Sequence, residues 1–227
     1  MLDFRKPHRL PLIAPSILSA DFANLAEDCR DVLQGGADLL HLDVMDGHFV
    51  PNLTMGPALC SSLRKALPDA HLDVHLMVTD PAKFVEPFRK AGANHLTFHS
   101  EVMSTQSAVD LTRRIRDAGM TAGIAINPPT ALEPHMEIVG HVDMVLIMSV
   151  NPGFSGQAFM PEVLSKTRAT RAHTGPEMRI QMDGGITPAN VESVRDAGCD
   201  VIVAATAVFG VPKNDRSKVL RQLFSRG

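Results

Sequence analysis

Three observations predict an α/β protein built as a (β/α)8 (TIM) barrel. Eight short apolar, β-branched runs recur along the chain, stretches with helical spacing lie between them, and a small-residue phrase carrying glycine closes several of those stretches. Strands that alternate with helices pair in parallel through right-handed crossovers. Eight of them in 227 residues suit a closed barrel better than the alternative, an open doubly wound sheet.

The first run, LPLIAPSIL (10–18), leads into DFANLAEDCRDVLQ (21–34), a helically spaced stretch that begins at the cap residue Asp21. GGAD (35–38) ends it and turns the chain into DLLHLDVM (38–45); HLDVHLMV (71–78) is the third strand. PAKFVEPFRKA (81–91) follows Asp80, which suits an N-cap with a proline in the first turn, and AGAN (91–94) closes it ahead of HLTFHS (95–100). AVDLTRRIRDA (108–118) is closed by AGMT (118–121) before TAGIAIN (121–127), and DMVLIMSV (143–150) and MRIQMDG (178–184) are strands six and seven. TPANVESVRDA (187–197) starts on Thr187 before Pro188, AGCD (197–200) ends it, and DVIVAAT (200–206) is the eighth strand. The units repeat about every 25 residues as architecture, not as modules. No Gly-, Ser- or Pro-rich linker interrupts them, so residues 1–227 are expected to form a single domain.

Composition narrows the function classes. A hydrophobic share of 44% and a charged share of 21% are those of a soluble globular chain, and the net charge of −3 offers no basic field for nucleic acid or an anionic membrane. Trp and Tyr are absent, which leaves only Phe for base stacking. The N-terminus MLDFRKPHRLPLIAPS has no apolar stretch of signal-peptide length and no later run is long enough to span a bilayer, so a cytoplasmic location is expected. Cys29, Cys60 and Cys199 lack any C-x-x-C spacing and are read as buried spectator thiols.

The chemistry is concentrated where strands two and three break their apolar pattern. Strand side chains alternate faces, so in HLDVMDGHFVPN (41–52) His41, Asp43 and Met45 share one face, and in LDVHLMV (72–78) Asp73, His75 and Met77 do the same. A barrel places its active site at the C-terminal strand ends, where Ser16, His41, Asp43, His75 and Asp183 all fall. His41, Asp43, His75 and Asp183 make a two-imidazole, two-carboxylate set suited to one divalent ion: Zn2+, Fe2+, Co2+ or Mn2+. The plain alternative, four hydrogen-bonded core residues, must bury two carboxylates without a paired cation, which is costly. Asp73 lies one layer deeper and reads as a hydrogen-bonded structural residue, Asp46 as a turn residue, and His99 as a residue lining the site. His95, His135, His141 and His173 read as ordinary loop or surface residues. Met45, Met77 and Met148 sit at strand ends and suit a soft apolar lid over a substrate.

A second constellation is glycine-rich. NPGFSGQ (151–157), with Gly153, Phe154, Ser155 and Gly156, follows strand six; Gly184 and Gly185 follow strand seven; Ala205 and Thr206 follow strand eight. Loops at these ends of a barrel bind phosphate through backbone N–H groups, and with no Lys or Arg in them the cradle would act by dipoles alone. A metal between two carboxylates beside a phosphate site suggests proton transfer next to a carbonyl. An ordinary Asp, with a pKa of about 3.9, needs the developing oxyanion stabilised before it can remove such a proton. Two carboxylates on opposite faces of the substrate would invert the carbon between them.

On the segments APSILSADF (14–22), HLDVMDGHFVPNLTMGP (41–57), LDVHLMV (72–78), SVNPGFSGQ (149–157), MDGG (182–185) and VAATAVF (203–209), the chain strongly resembles the ribulose-phosphate 3-epimerase family. The resemblance implies a TIM barrel that inverts C3 of D-ribulose 5-phosphate to give D-xylulose 5-phosphate, with one divalent metal per subunit and homo-oligomeric assembly. It implies His41, Asp43, His75 and Asp183 as ligands, Asp43 and Asp183 as the exchanging acid and base, Ser16 and His75 as substrate contacts, and Met45, Met77 and Met148 as the cap. Ser155, Ala205 and Thr206 replace the family's usual Gly, Gly and Ser, and their added Cβ atoms are expected to crowd a phosphate cradle. Gln181 replaces an acid often found there, which is expected to lower the Asp183 pKa by removing a negative neighbour.

Three rival readings have distinguishable signatures. A D-allulose-6-phosphate 3-epimerase would run the same chemistry on a longer sugar. A sugar-acid decarboxylase on a related barrel would carry Lys in a D-x-K-x-x-D motif, where this chain has DVHLMVTD. A phosphosugar sensor would bind ligand without exchanging the C3 hydrogen.

Overall fold

A β-branched run with helices on one side and a barrel interior on the other buries both of its faces, and each of the eight runs does so. The computed structural model describes residues 2–225. In it β1 (Leu12–Pro15), α1 (Leu25–Gln34), β2 (Leu40–Met45), α2 (Pro57–Ala66), β3 (Leu72–Met77) and α3 (Val85–Ala91) alternate. They are followed by β4 (His95–His99), α4 (Thr105–Asp117), β5 (Thr121–Ile126), α5 (Met136–Val139) and β6 (Met144–Met148). The remainder is α6 (Val163–His173), β7 (Arg179–Asp183), α7 (Val191–Asp196), β8 (Val201–Ala204), α8 (Thr206–Phe209) and α9 (Lys213–Phe224).

The strands form one parallel sheet in the order β1-β8-β7-β6-β5-β4-β3-β2. Its two ends meet where Ser16 bridges His41 and where the Asp38 N–H donates to the Ile13 carbonyl at 2.9 Å. The closed-barrel expectation therefore holds over the open sheet. Register sets Asp43 beside His75, Met45 beside Met77, and Met148 beside Asp183.

The alternation read from the sequence separates two packing layers. Leu40, Leu42, Val44, Leu72, Val74 and Leu76 face the helices in the main core cluster, while Leu12, Ala14, Leu39, Met144, Val201 and Val203 fill the barrel with Phe4. Phe4 closes the lower end by stacking on His71 and lying 5.0 Å from the His95 ring. His95 is a correction to the surface reading. As the first inward residue of β4 it is fully buried, bonded to the hydroxyls of Thr121 (2.7 Å) and Thr97 (2.9 Å). Gly123 makes room for it, since a Cβ there would lie 2.7 Å from its Nε2.

The helix starts also differ in detail. Asp21 caps a 3-10 turn by accepting from the Ala23 N–H at 3.0 Å, and α1 begins only at Leu25. Asp80 makes no side-chain cap, because Pro81 brings no N–H and the chain winds a 3-10 turn over Pro81–Phe84 first. Thr187 is displaced as a start by Asn190, whose side chain accepts from the Thr187 N–H before α7.

At the lower rim the architectural repeat has a period of two strands. Asp38, Asn94, Asp143 and Asp200 precede the even-numbered strands, and each accepts from a backbone N–H at the start of the preceding strand: Ile13, Leu72, Ala122 and Ile180. Each also meets an arginine: Arg9, Arg64, Arg116 and Arg171, respectively. Three of these arginines reach the carbonyl of the helix-ending glycine as well, at Gly36, Gly92 and Gly198. Hydrogen bonding of this kind at the lower rim serves stability and leaves the upper rim for chemistry. The three cysteines are buried and free, as the sequence reading expects. Among the described residues no helix is long and apolar enough to cross a membrane.

Candidate active site

The inward alternation of β2 and β3 and the end of β7 bring His41, Asp43, His75 and Asp183 to one point at the upper end of the barrel. Four ligand atoms, one from each, lie within 4.8 Å of one another. Asp43 Oδ1 is 3.3 Å from His41 Nε2 and 3.1 Å from His75 Nδ1, and Asp183 Oδ2 is 3.9 Å from each of those nitrogens. A tetrahedral ion with bonds of about 2.1 Å needs ligand separations of about 3.4 Å, so small inward shifts close the set around one ion. His41 Nε2 is buried without a hydrogen-bond partner, aimed at that centre. The residues present thus fit a divalent metal.

Burial alone would push Asp43 upward, but His41 and His75 beside it hold its carboxyl far below the usual carboxylate range. The same two imidazoles stand farther from Asp183, at 3.9 Å, beyond hydrogen-bond reach. Burial, reinforced by the Asp43 charge, pushes it up to about 7. Two carboxylates on one centre therefore differ in protonation near neutrality, an arrangement in which one serves as base and the other as acid. The lowering expected from Gln181 is relative to an acid at that position: Gln181 brings no charge to Asp183 and donates from Nε2 to Asp73 Oδ2 at 2.7 Å. That same oxygen lies 2.8 Å from His41 Nδ1. Asp73 is structural and hydrogen-bonded, as read from the sequence, and it orients the ligand imidazole from behind. Burial would lower the His41 pKa, yet Asp43 and Asp73 on its two sides raise it well above the ordinary value. For His75, burial prevails over the Asp43 hydrogen bond and lowers it to about 4.

Ser16, fully buried beneath the centre, donates to Asp43 Oδ2 at 2.5 Å. Above the centre opens a cavity of about 310 Å3 lined by Asp43, Asp183, Met45, Met77 and Met148 on the strand side. Its other wall is Gly153, Phe154, Ser155, Gly156, Gly184, Gly185, Ala205 and Thr206. Every glycine-rich segment read from the sequence therefore meets the carboxylates in one space, and no Lys or Arg lines it. Met45 and Met77 pack with Val50, and Met148 with Val150, so the methionines form a buried apolar wall against the cavity rather than a separate lid.

Gly184 and Gly185 have positive φ values of 126° and 63°, and a Cβ on Gly185 would lie 2.6 Å from the Phe159 nitrogen. Only glycine fits where these two loops meet. No described non-glycine residue has a positive φ, so Ser155, Ala205 and Thr206 do not need glycine's backbone freedom at their places.

Several supporting residues escaped the sequence reading. Ser149 Oγ donates to the carbonyls of Asp183 and Gly184, Gln157 Nε2 to those of Asn151 and Phe154, and Asn52 Nδ2 to that of Gly153 at 2.8 Å. Asp46 does more than build its own turn. It accepts from the N–H groups of His48, Phe49 and Thr79, tying the loop after β2 to the end of β3. His99 is not a lining residue but lies fully buried behind His75, with 2.8 Å between their Nε2 atoms.

The chain matches the model of the ribulose-phosphate 3-epimerase family over residues 12–209. It is 49% identical over 203 residues to the ribulose-phosphate 3-epimerase of Mycobacterium tuberculosis, covering 88% of this chain and 86% of that one. Against the cytoplasmic isoform of Oryza sativa the identity is 48% over 201 residues, with 87% of each chain covered. Among solved structures, a 3-hexulose-6-phosphate synthase superposes with a TM-score of 0.72 at 16% identity, over 93% of this chain and 97% of that one, a likeness of fold alone. With the family model spanning most of the chain and two relatives near half identity, the chain belongs to the ribulose-phosphate 3-epimerase family.

Proposed function

We propose that the protein interconverts D-ribulose 5-phosphate and D-xylulose 5-phosphate by removing the C3 hydrogen on one face and returning it on the other. The observation that carries this reading is the pair Asp43 and Asp183 at a common centre, one held ionised and the other protonated up to about pH 7. In one direction Asp43 accepts the proton and Asp183 donates the replacement; in the other they exchange roles. His41, Asp43, His75 and Asp183 would hold a divalent ion, which would supply the Lewis acidity that makes the C3 hydrogen removable. Zn2+, Fe2+, Co2+ and Mn2+ all suit this donor set. Ser16 holds Asp43 Oδ2, and so leaves Oδ1 on the side of the two imidazoles.

Met45, Met77 and Met148 exclude water along the sugar, while Gly153, Phe154, Ser155, Gly156, Gly184, Gly185, Ala205 and Thr206 cradle the phosphate with backbone dipoles. His75 contacts substrate as well as metal in this reading. Residues 1–227 act as one catalytic domain, in the cytoplasm, on a small phosphosugar and on neither nucleic acid nor membrane. Homo-oligomeric assembly follows from the resemblance and is checked by light scattering.

Deuterium incorporation from D2O at C3 of ribulose 5-phosphate tests the reaction. Wild type is expected to exchange and to epimerise, metal-stripped protein and Asp43→Asn to do neither, and full turnover by Asp43→Asn would refute the two-carboxylate mechanism. A higher kcat/KM on allulose 6-phosphate than on ribulose 5-phosphate would reassign the substrate.

A further inference from the structure

Behind the ligand His75 runs a line of groups that the proposed reaction does not use, buried at His99 and reaching the surface at Glu101. His75 Nε2 faces His99 Nε2 at 2.8 Å, and His99 Nδ1 faces Glu101 Oε2 at 3.1 Å. Glu101 is itself fixed: its Oε1 accepts from the Asn127 N–H at 2.8 Å. The loop carrying Asn127 is in turn pinned by Lys166, whose Nζ donates to the carbonyls of Asn127, Pro128 and Thr130. Phe49 covers the His99 ring with 4.7 Å between centroids.

A contact between two imidazole nitrogens works only if one carries hydrogen and the other does not. The carboxylate of Glu101 decides which. It can only accept, so a His99 ring with one hydrogen carries it on Nδ1, its Nε2 is left as acceptor, and His75 donates from Nε2. That leaves His75 Nδ1 bare at the centre. The bias is needed because Asp43 Oδ1, 3.1 Å from His75 Nδ1, draws a hydrogen onto the very atom that must be free to ligate. We propose that Glu101 is a positioning residue that, through His99, keeps the His75 ring hydrogen on Nε2 and so prepares Nδ1 as a metal ligand. This rests on the metal reading of the site.

Substitution at Glu101 separates positioning from mere support of the loop. In Glu101→Gln a single oxygen must serve both the Asn127 N–H and His99. Kept on the Asn127 N–H, it turns the amide NH2 toward His99 Nδ1, moves the His99 hydrogen to Nε2, and sets it against the hydrogen of His75. In Glu101→Ala the bias is lost, and only the draw of Asp43 on the His75 hydrogen is left to oppose ligation. If Glu101 only supported the loop, Gln would be the milder change, since it retains the Asn127 bond.

The full-length protein is stripped of metal and its Zn2+ dissociation constant measured by chelator competition. Glu101→Gln is expected to bind Zn2+ about 10- to 100-fold more weakly than wild type, the range typical of lost carboxylate–histidine support, and more weakly than Glu101→Ala. Equal or tighter binding by Glu101→Gln than by Glu101→Ala overturns the proposal. Should a variant not fold, nitrogen-15 spectra of the Zn2+-loaded wild type decide: a hydrogen on His99 Nδ1 is expected, and one on His99 Nε2 alone overturns it. Failure of the wild type to bind Zn2+ would remove the metal reading itself, whereas tight wild-type binding with insensitive variants would remove only this inference.

Discussion

Metal uptake should release a number of protons that depends on pH, and the structure sets that number. In the metal-free protein Asp43 and Asp73 raise the His41 pKa well above its ordinary value, and Asp183 holds a proton up to about pH 7. A divalent ion requires all four ligand atoms bare. Between about pH 8 and about pH 6 Asp183 adds one proton to whatever His41 gives up, so the count rises by roughly one. The bound state is the deprotonated one, so affinity rises with pH. Each released proton contributes about tenfold, or ~1.4 kcal/mol, per pH unit. The fall of the dissociation constant with pH should thus be steeper near pH 6 than near pH 8 by about a further tenfold per unit. Titration calorimetry of Zn2+ in buffers of different ionisation enthalpy counts the protons directly. A count that stays flat across that range would refute this reading of metal uptake, since Asp183 then either keeps its proton when the ion binds or has none to lose.

Two further outcomes follow from the hydrogen bonding around the barrel. Asp143→Ala leaves the buried Ala122 N–H and the guanidinium of Arg116 without their acceptor, at a cost of about 2 kcal/mol, or a loss of about 4–8 °C in Tm. Because these partners hold the Asp143 carboxyl below 3.8, its contribution is complete above that pH and fades in stronger acid; a variant as stable as wild type at neutral pH would refute this assignment. Gln181→Glu replaces the donor to Asp73 by a second carboxylate, so the new pair must share a proton and its pKa in the folded state is raised. Stability from a raised pKa is present at low pH and lost as pH rises through it. The urea midpoint of the variant should therefore fall relative to wild type from about pH 5 to about pH 9, and parallel curves would show that Gln181 is indifferent to charge.

What was legible in the sequence is what depends on neighbours along the chain. The period of two put His41, Asp43 and Met45 on one face of β2 and Asp73, His75 and Met77 on one face of β3, and both faces turn inward as read. The helix-ending glycines at 36, 92, 119 and 198 all adopt the left-handed conformation that only their type takes readily. Strand ends in a parallel barrel collect at one rim by topology, so the metal-ligand set could be named before any distance was known.

Tertiary structure decided everything carried by contacts between distant segments. Asp73 meets Gln181 across the barrel from β3 to β7, and Asn52 ties the loop after β2 to the loop after β6; no periodicity records either pairing. His99 and Glu101 are ordinary residues at the end of a strand until β4 is set beside β3 with His75 paired to Thr97, one step from His99 on the same inward face. His95 and its glycine partner Gly123 belong to the same class. The chain alone thus named the chemistry at the centre, because ligand type and strand phase are local properties. Which acid is charged, which imidazole nitrogen is bare and which loop is held depend on burial and strand register, and those exist only once the barrel has closed.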